Sequence, residues 1–280
     1  MGISGIEVRD LSFGYKGMLI LDGMDLSIDR GSTVTLLGPN GCGKTTLLKT
    51  INGLLKPDFG SVFIDGRSAS GMGPGELARV IGYVPQGHRT IFPFTSFDIV
   101  LTGRLPHIST FSSPGARDFD VARRSLEVVG AAHLSERPYT QISGGERQMV
   151  MIARALAQEP RFLLLDEPTS YLDFKNQVNV LRTVKSIAST EGVTVMMTLH
   201  DPNHALAYSD RIVLMRRLPP EAEGDGGGGD LDLEGRRSSR GNVVAYGRPE
   251  EVMTPENIEE AYGMKVEILE HDGRRIILPI

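Results

Sequence analysis

The stretch GPNGCGKT, residues 38–45, stands between an apolar run at 34–37 and a segment of helical character at 45–54 that ends near Gly53 and Pro57. Strand, glycine-rich turn and helix in that order complete the pattern G-x-x-x-x-G-K-[ST]. A loop of this kind sits at the C-terminal edge of a parallel sheet, so the stretch decides the fold class. Gly38, Gly41 and Gly43 let main-chain N–H groups turn onto phosphate oxygens with no Cβ in the way. Pro39, Asn40 and Cys42 fill the variable positions, and Cys42 reads as a small residue that fits rather than as a nucleophile. Lys44 supplies a point charge to the β and γ phosphates, and the helix that starts there adds its positive end. The Thr45 hydroxyl can ligate Mg²⁺. ATP contacts are expected from Gly38 through Thr46.

Upstream, residues 3–36 alternate apolar and polar positions, which predicts half-exposed antiparallel strands. Downstream, 61–65 and 80–84 read as short strands. Strand signals then vanish between about 87 and 160, where helical periodicity takes over, notably at 118–129 and 145–157. Apolar runs at 162–165 and 193–199, separated by a helix-like stretch at 177–190, restore the α/β alternation. The expected architecture is a single α/β domain over 1–280. It combines a phosphate-loop NTPase core on a mostly parallel sheet, an N-terminal antiparallel β subdomain and an inserted helical subdomain. Residues 219–241 stand apart as a Gly-rich, charged run poor in large apolar residues. Such a run buries too little surface to offset its ordering entropy, so a disordered hairpin extension between strands at 211–215 and 242–245 is expected. A regulatory or partner-binding loop is the alternative.

With 30 Lys and Arg against 35 Asp and Glu, the chain carries a net charge of −5 and lacks the basic field of a general nucleic-acid binder. No nucleic-acid partner is expected. The N-terminus is polar and charged, which predicts no signal peptide, and the apolar runs are too short to span a bilayer. Cys42 is the single cysteine, which suits a reducing compartment.

A second centre of chemistry lies at Phe162-Leu-Leu-Leu-Asp166-Glu167. Four apolar residues in a row make a buried strand, but two adjacent carboxylates at its C-terminal edge need another reason. Asp166 is placed to hold Mg²⁺ or its waters, and Glu167 to polarise an attacking water. A third centre is Ser143-Gly144-Gly145-Glu146-Arg147. S-x-x-E is a capping box, so Ser143 and Glu146 start a helix. Two glycines at a helix start also leave N–H donors open to an anion, and both readings hold together.

These three elements, in this order, resemble the ATP-binding subunits of ABC transporters from about residue 5 to the C-terminus. SGGER resembles that family's signature, with Ile142 where Leu is usual. By the same resemblance Tyr15 stacks on adenine, and Gln86 touches Mg²⁺ and links the core to the helical subdomain. Ser170, Leu172 and Asp173 belong to a loop that crosses a dimer, where Tyr171 is bulkier than usual. His200 contacts the γ-phosphate. The resemblance implies two copies associated head to tail, each ATP lying between one phosphate loop and the partner's signature. Glu167 is then the general base, assisted by His200 and Lys44, with Mg²⁺ held by Thr45, Gln86 and Asp166. It also implies multi-spanning permease subunits, an extracytoplasmic binding protein, and a peripheral place on the cytoplasmic face of the membrane. Residues 88–98 are expected either to offer a docking surface, with Ile91, Phe92 and Phe94 exposed, or to form ordinary core of the helical subdomain.

The stretch Leu101-Thr-Gly-Arg-Leu-Pro-His107 and the ending from Met253 to Gly263 resemble the branch serving iron–siderophore, haem, cobalamin and, less often, molybdate or tungstate importers. Iron chelate is the first choice there. The competing class is a soluble ABC ATPase not tied to transport. Its DNA-repair and chromosome-organising members carry long heptad coiled coils, and none lies between Thr46 and Ser143. Translation-associated members carry two cassettes, and this chain has one loop and one signature. A nucleotide-binding regulator without turnover conflicts with intact Glu167 and His200.

Overall fold

The computed structural model describes residues 5–87, 93–109, 111–219 and 241–280. Two long strands come first, β1 (Gly5–Tyr15) and β2 (Met18–Asp29), followed by β3 (Thr33–Leu37) and the helix α1 (Lys44–Ile51). Next are β4 (Phe59–Ile64), β5 (Arg67–Ser68), α2 (Pro74–Val80) and β6 (Ile81–Val84). The first sheet, in the order β2-β1-β4-β5, is antiparallel throughout, as the period-two pattern predicts. The expectation fails at its end, because β3 leaves this sheet and pairs in parallel elsewhere. All five of its residues are buried, the signature of a strand covered on both faces rather than half exposed.

Helices occupy the next stretch: α3 (Ser96–Leu101), α4 (Ala116–Val128) and α5 (Gly144–Leu156). They pack on one another, and among the described residues between 87 and 160 the strand pairing is limited to an isolated bridge, Thr95 to Pro138. Arg104, 2% exposed, fastens this region: it donates to Asp118 at 3.0 Å, to Glu159 at 2.8 Å and to the Ala157 carbonyl at 2.6 Å. Several oxygens around one guanidinium offset its desolvation.

The chain then returns to the core through β7 (Phe162–Leu165), α6 (Phe174–Thr190), β8 (Thr194–Leu199), α7 (Pro202–Tyr208), β9 (Arg211–Met215) and β10 (Val243–Gly247). Among the described residues the second sheet runs β10-β9-β3-β8-β7-β6, parallel except for the β9–β10 pair. Alternate residues of these strands feed two different cores. Leu163, Leu165, Val195, Met197, Ile212 and Leu214 pack toward the helices, whereas Phe162, Leu164, Met196 and Val213 pack toward α1 and the antiparallel sheet. Period two is present but hidden, because both phases are apolar.

The strands flanking the Gly-rich run pair as a hairpin, with Met215 opposite Val243 and Arg216 N–H bonded to the Asn242 carbonyl at 2.7 Å. The expected disordered insert at 219–241 lies, apart from its two ends, outside the described residues. The C-terminal part, for which the sequence predicted no elements, forms α8 (Pro249–Val252), α9 (Pro255–Tyr262) and a hairpin of β11 (Val266–His271) with β12 (Arg274–Pro279). Asn203 of α7 clasps this hairpin, donating to the Ile277 carbonyl at 3.2 Å and accepting its N–H at 2.8 Å. Among the described residues no helix is long and apolar enough to cross a membrane.

Candidate functional site: a phosphate loop facing two carboxylates

β3 delivers the chain to Gly38 at the sheet's C-terminal edge. A Cβ there would lie 2.4 Å from the Met215 carbonyl oxygen, so glycine is required by close approach. Gly43, at φ 99°, is the N-cap of α1, and a Cβ on it would meet Leu21 Cδ2 at 2.6 Å. It offers no side-chain cap, which leaves the first-turn N–H groups for a ligand. The Lys44 side chain is buried and curls over the loop, donating to the Gly38 carbonyl at 2.7 Å and the Pro39 carbonyl at 3.0 Å. These carbonyls hold the ammonium over the loop where a phosphate would meet it. Beside it a cleft of about 180 Å³ brings together Tyr15, Asn40, Lys44, Thr45, Thr46 and Glu167, with Gly41 and Gly43 in its wall. Tyr15 is 45% exposed and braced edge-on by Phe13, ring centroids 4.8 Å apart, a posture open to stacking.

Cys42 does not share this exposure. It is 1% exposed, packs in the core beneath the loop, and burial pushes its thiol up despite Lys44 nearby. Its expected ATP contact therefore reduces to main chain.

Asp166, at the end of β7, is 2% exposed and fully engaged. Its Oδ1 accepts from the Thr45 hydroxyl at 2.8 Å and the Thr198 hydroxyl at 3.1 Å, and its Oδ2 from the Tyr83 hydroxyl at 3.4 Å. Thr45, which lines the cleft, and Asp166, bonded to it from behind, thus place hard oxygen donors side by side, the donor set that suits Mg²⁺ shared with substrate phosphates. Gln86, grouped with them from the sequence, turns instead to Glu167, donating from Nε2 to Oε2 at 2.6 Å.

Glu167 is the centre of the arrangement. At φ 49° it leaves the strand direction, and its N–H is tied to Thr198 Oγ1 at 2.6 Å. Oε2 also accepts from Ser170 Oγ at 2.6 Å, and Oε1 lies 2.8 Å from His200 Nε2 at the end of β8. Burial pushes its carboxyl up, but the Ser170 and His200 hydrogen bonds and the charges of His200 and Lys44 outweigh this and hold it below the usual carboxylate range. It is an anion with several donors around it.

The signature residues lie elsewhere on the surface of the chain. Ser143 caps α5, accepting Glu146 N–H at 3.3 Å, while Glu146 Oε2 accepts Ser143 N–H at 2.7 Å. The Ser143 N–H, then its hydroxyl, hold the Glu146 carboxyl below its ordinary value. Ser143 and Gly144 are exposed, and neither lines the cleft of their own chain. Gly145 has a packing reason, since a Cβ would meet the Asn176 side chain at 2.8 Å. In the neighbouring loop Asp173 caps α6, Leu172 is half-buried, and Tyr171, at φ 62°, is 95% exposed.

Three site residues escaped the sequence reading. Thr198 ties the Asp166 carboxylate to the Glu167 main-chain N–H, and its signal was a hydroxyl inside an apolar strand. Tyr83 touches Asp166 from the next strand. Asn242, wholly buried, holds the loop from below and carries no signal in local sequence.

A groove of about 720 Å³ opens on the other side of Tyr83. Leu54, Leu55, Met72 and Leu77 line it with Lys56 and Arg154, and its lining contains no acidic side chain.

Residues 21–170 match the family model described as ABC transporter. The iron(3+)-hydroxamate import ATP-binding protein FhuC of Bacillus subtilis is 32% identical over 267 residues, covering 95% of this chain and 91% of that protein. A solved structure showing an inward-facing conformation of a transporter assigned to the metal-chelate type aligns with a TM-score of 0.80 at 29% identity, over 99% of this chain and 97% of the other. The dimeric structure of MJ0796, described as a bacterial ABC transporter cassette, aligns at 0.65 and 30% identity, over 74% and 93%. The chain belongs to the ABC transporter family. It is an ATP-binding subunit whose activity is ATP hydrolysis coupled to transport.

Proposed function

We propose that two copies of this chain close head to tail on ATP and Mg²⁺ and drive an importer of a metal chelate, iron–siderophore before haem, cobalamin or molybdate. The observation that carries the mechanism is the convergence of Gln86, Ser170 and His200 on Glu167, beside Lys44 and Thr45. Glu167 takes the proton from the attacking water, and His200 orients that carboxylate and the γ-phosphate. Lys44 and the open N–H groups of α1 hold the phosphates. Thr45 and Asp166 would hold Mg²⁺, which neutralises charge developing on the transferred phosphoryl group.

Ser143 and Gly144, exposed and away from their own cleft, are free to complete the cleft of a second copy. Ser170, Leu172 and Asp173 lie on the loop between Glu167 and α6, with Tyr171 projecting where that copy would meet it. Gln86 places the start of the helical subdomain in contact with Glu167, a route by which a permease helix could sense the nucleotide. Of the docking stretch at 88–98, residues 88–92 lie outside the described residues, and Phe94 is half exposed.

The choice of cargo rests on the motifs of the 101–107 and 253–263 stretches and on the iron-hydroxamate and metal-chelate relatives. Co-expression with its permease and binding protein, followed by ATP-dependent uptake of radiolabelled ferric hydroxamate into vesicles, tests it. Uptake of haem, cobalamin or molybdate instead would replace the cargo. ATPase activity with no membrane partner would favour the soluble class.

A further inference from the structure

Tyr83 belongs at once to the catalytic side and to the groove. Parallel register on β6 sets it beside Leu164 of β7, two residues before Asp166. Its ring forms part of the groove wall, and its hydroxyl crosses to Asp166 Oδ2 at 3.4 Å. A Phe would serve as groove wall equally well, so the hydroxyl needs its own reason. Thr45 and Thr198 both bond Oδ1, and the Tyr83 hydroxyl is the donor that meets Oδ2 and so restrains rotation of the carboxylate about Cβ–Cγ.

We propose that Tyr83 is a positioning residue that presents the Asp166 carboxylate to Mg²⁺ and joins it to the wall of the groove. The inference rests on the Mg-ATP reading of the cleft and names a residue that reading does not use.

The test is calorimetric titration of ATP into full-length protein carrying Glu167→Gln, so that ATP persists, with Tyr or Phe at position 83. Each is titrated in EDTA and across a Mg²⁺ series. At 3.4 Å the hydrogen bond is long, so the expected effect is modest. Tyr83→Phe should leave the EDTA affinity within about twofold and raise the Mg²⁺ concentration for half-maximal tightening by about 3–10-fold, the size of one lost hydrogen bond. Unchanged Mg²⁺ dependence would overturn the proposal. So would an equal loss of affinity with and without Mg²⁺, which is the mark of disturbed packing; the ratio thus remains decisive even if the variant is less stable. If the protein with Tyr83 binds no ATP at all, it is the reading of the cleft that fails.

Discussion

Asn242 donates from Nδ2 to the main-chain oxygen of Cys42 at 3.1 Å, across 200 residues of sequence. The same amide donates to the Ile20 carbonyl at 2.8 Å, and its Oδ1 accepts the Asp22 N–H at 3.1 Å. One fully buried side chain therefore joins the phosphate loop to β2, the strand whose hairpin with β1 ends in Tyr15. Asn242→Leu would remove a hydrogen bond from each of these three main-chain groups. At about 1–3 kcal/mol for an unsatisfied buried group, partly relieved by relaxation, a loss of about 2–4 kcal/mol is expected. Urea unfolding gives the stability and ATP titration the affinity, and both should fall. A variant as stable as the parent would show that the loop does not depend on this residue.

Glu167 has a pH dependence whose sign follows from its donors. Its carboxyl is held below 4.5 in the folded protein, so the stability it contributes is complete above its unfolded value and is lost as pH falls through the folded one. As a base it stays ionised from neutral pH down to that point. A kcat profile at saturating Mg-ATP should therefore show no limb from Glu167 near neutral pH. Glu167→Gln should lower kcat by about 10²–10⁴-fold with ATP still bound. A variant that keeps most of its turnover would move the base elsewhere.

Cys42 gives a simple chemical check on the loop. Burial raises its thiol, so at neutral pH both access and thiolate fraction are low. Maleimide should label it slowly with or without ATP, faster as pH rises toward 9, and to one equivalent per chain in denaturant. Rapid labelling of the nucleotide-free protein at pH 7 would contradict the buried placement.

What the sequence made legible was local. The phosphate loop, the paired carboxylates and the capping box each write a mechanism into a few consecutive residues. The parallel sheet was legible because strands alternate with helices. The membership of β3 was not, since its alternation continues that of β2 while its partners, β8 and β9, come some 160 residues or more later. Thr198, Tyr83 and Asn242 act on residues far away in sequence, and no local pattern announces that. The buried side chain of Cys42 has a related cause: position in the loop says nothing of which way a side chain turns.

The Gly-rich run offers a stability test. Its neighbours are already paired, with Arg216 bonded to the Asn242 carbonyl and, through Nε, to the Gly241 carbonyl at 3.2 Å. The cut therefore belongs inside 220–240, not at 219–241 as composition alone suggested. Replacing 220–240 with a short turn should leave ATPase activity and Tm nearly unchanged, because the replaced composition has little apolar surface to bury. A large loss of either, by coupled-enzyme assay or thermal scan, would make the run part of the working structure.

The head-to-tail dimer is tested at Ser143, where two roles can be separated. As a cap its hydroxyl accepts the Glu146 N–H, and Ser143→Ala should cost about 1 kcal/mol of stability. As a dimer residue it is exposed and would face the partner's γ-phosphate. In the Glu167→Gln background, ATP and Mg²⁺ should trap a dimer that a sizing column detects at high protein concentration. Ser143→Ala should weaken this dimer only mildly, because the flanking N–H groups of α5 remain. Ser143→Arg sets a bulky side chain in the closing interface and should abolish the dimer. The chain's own phosphate loop is untouched, so ATP should still bind the monomer with its former affinity. Loss of dimer together with loss of ATP binding would point to misfolding rather than to the interface, and a thermal scan would show it. If Ser143→Arg still gives the ATP-dependent dimer, Ser143 is a helix cap alone and the two chains close by some other face.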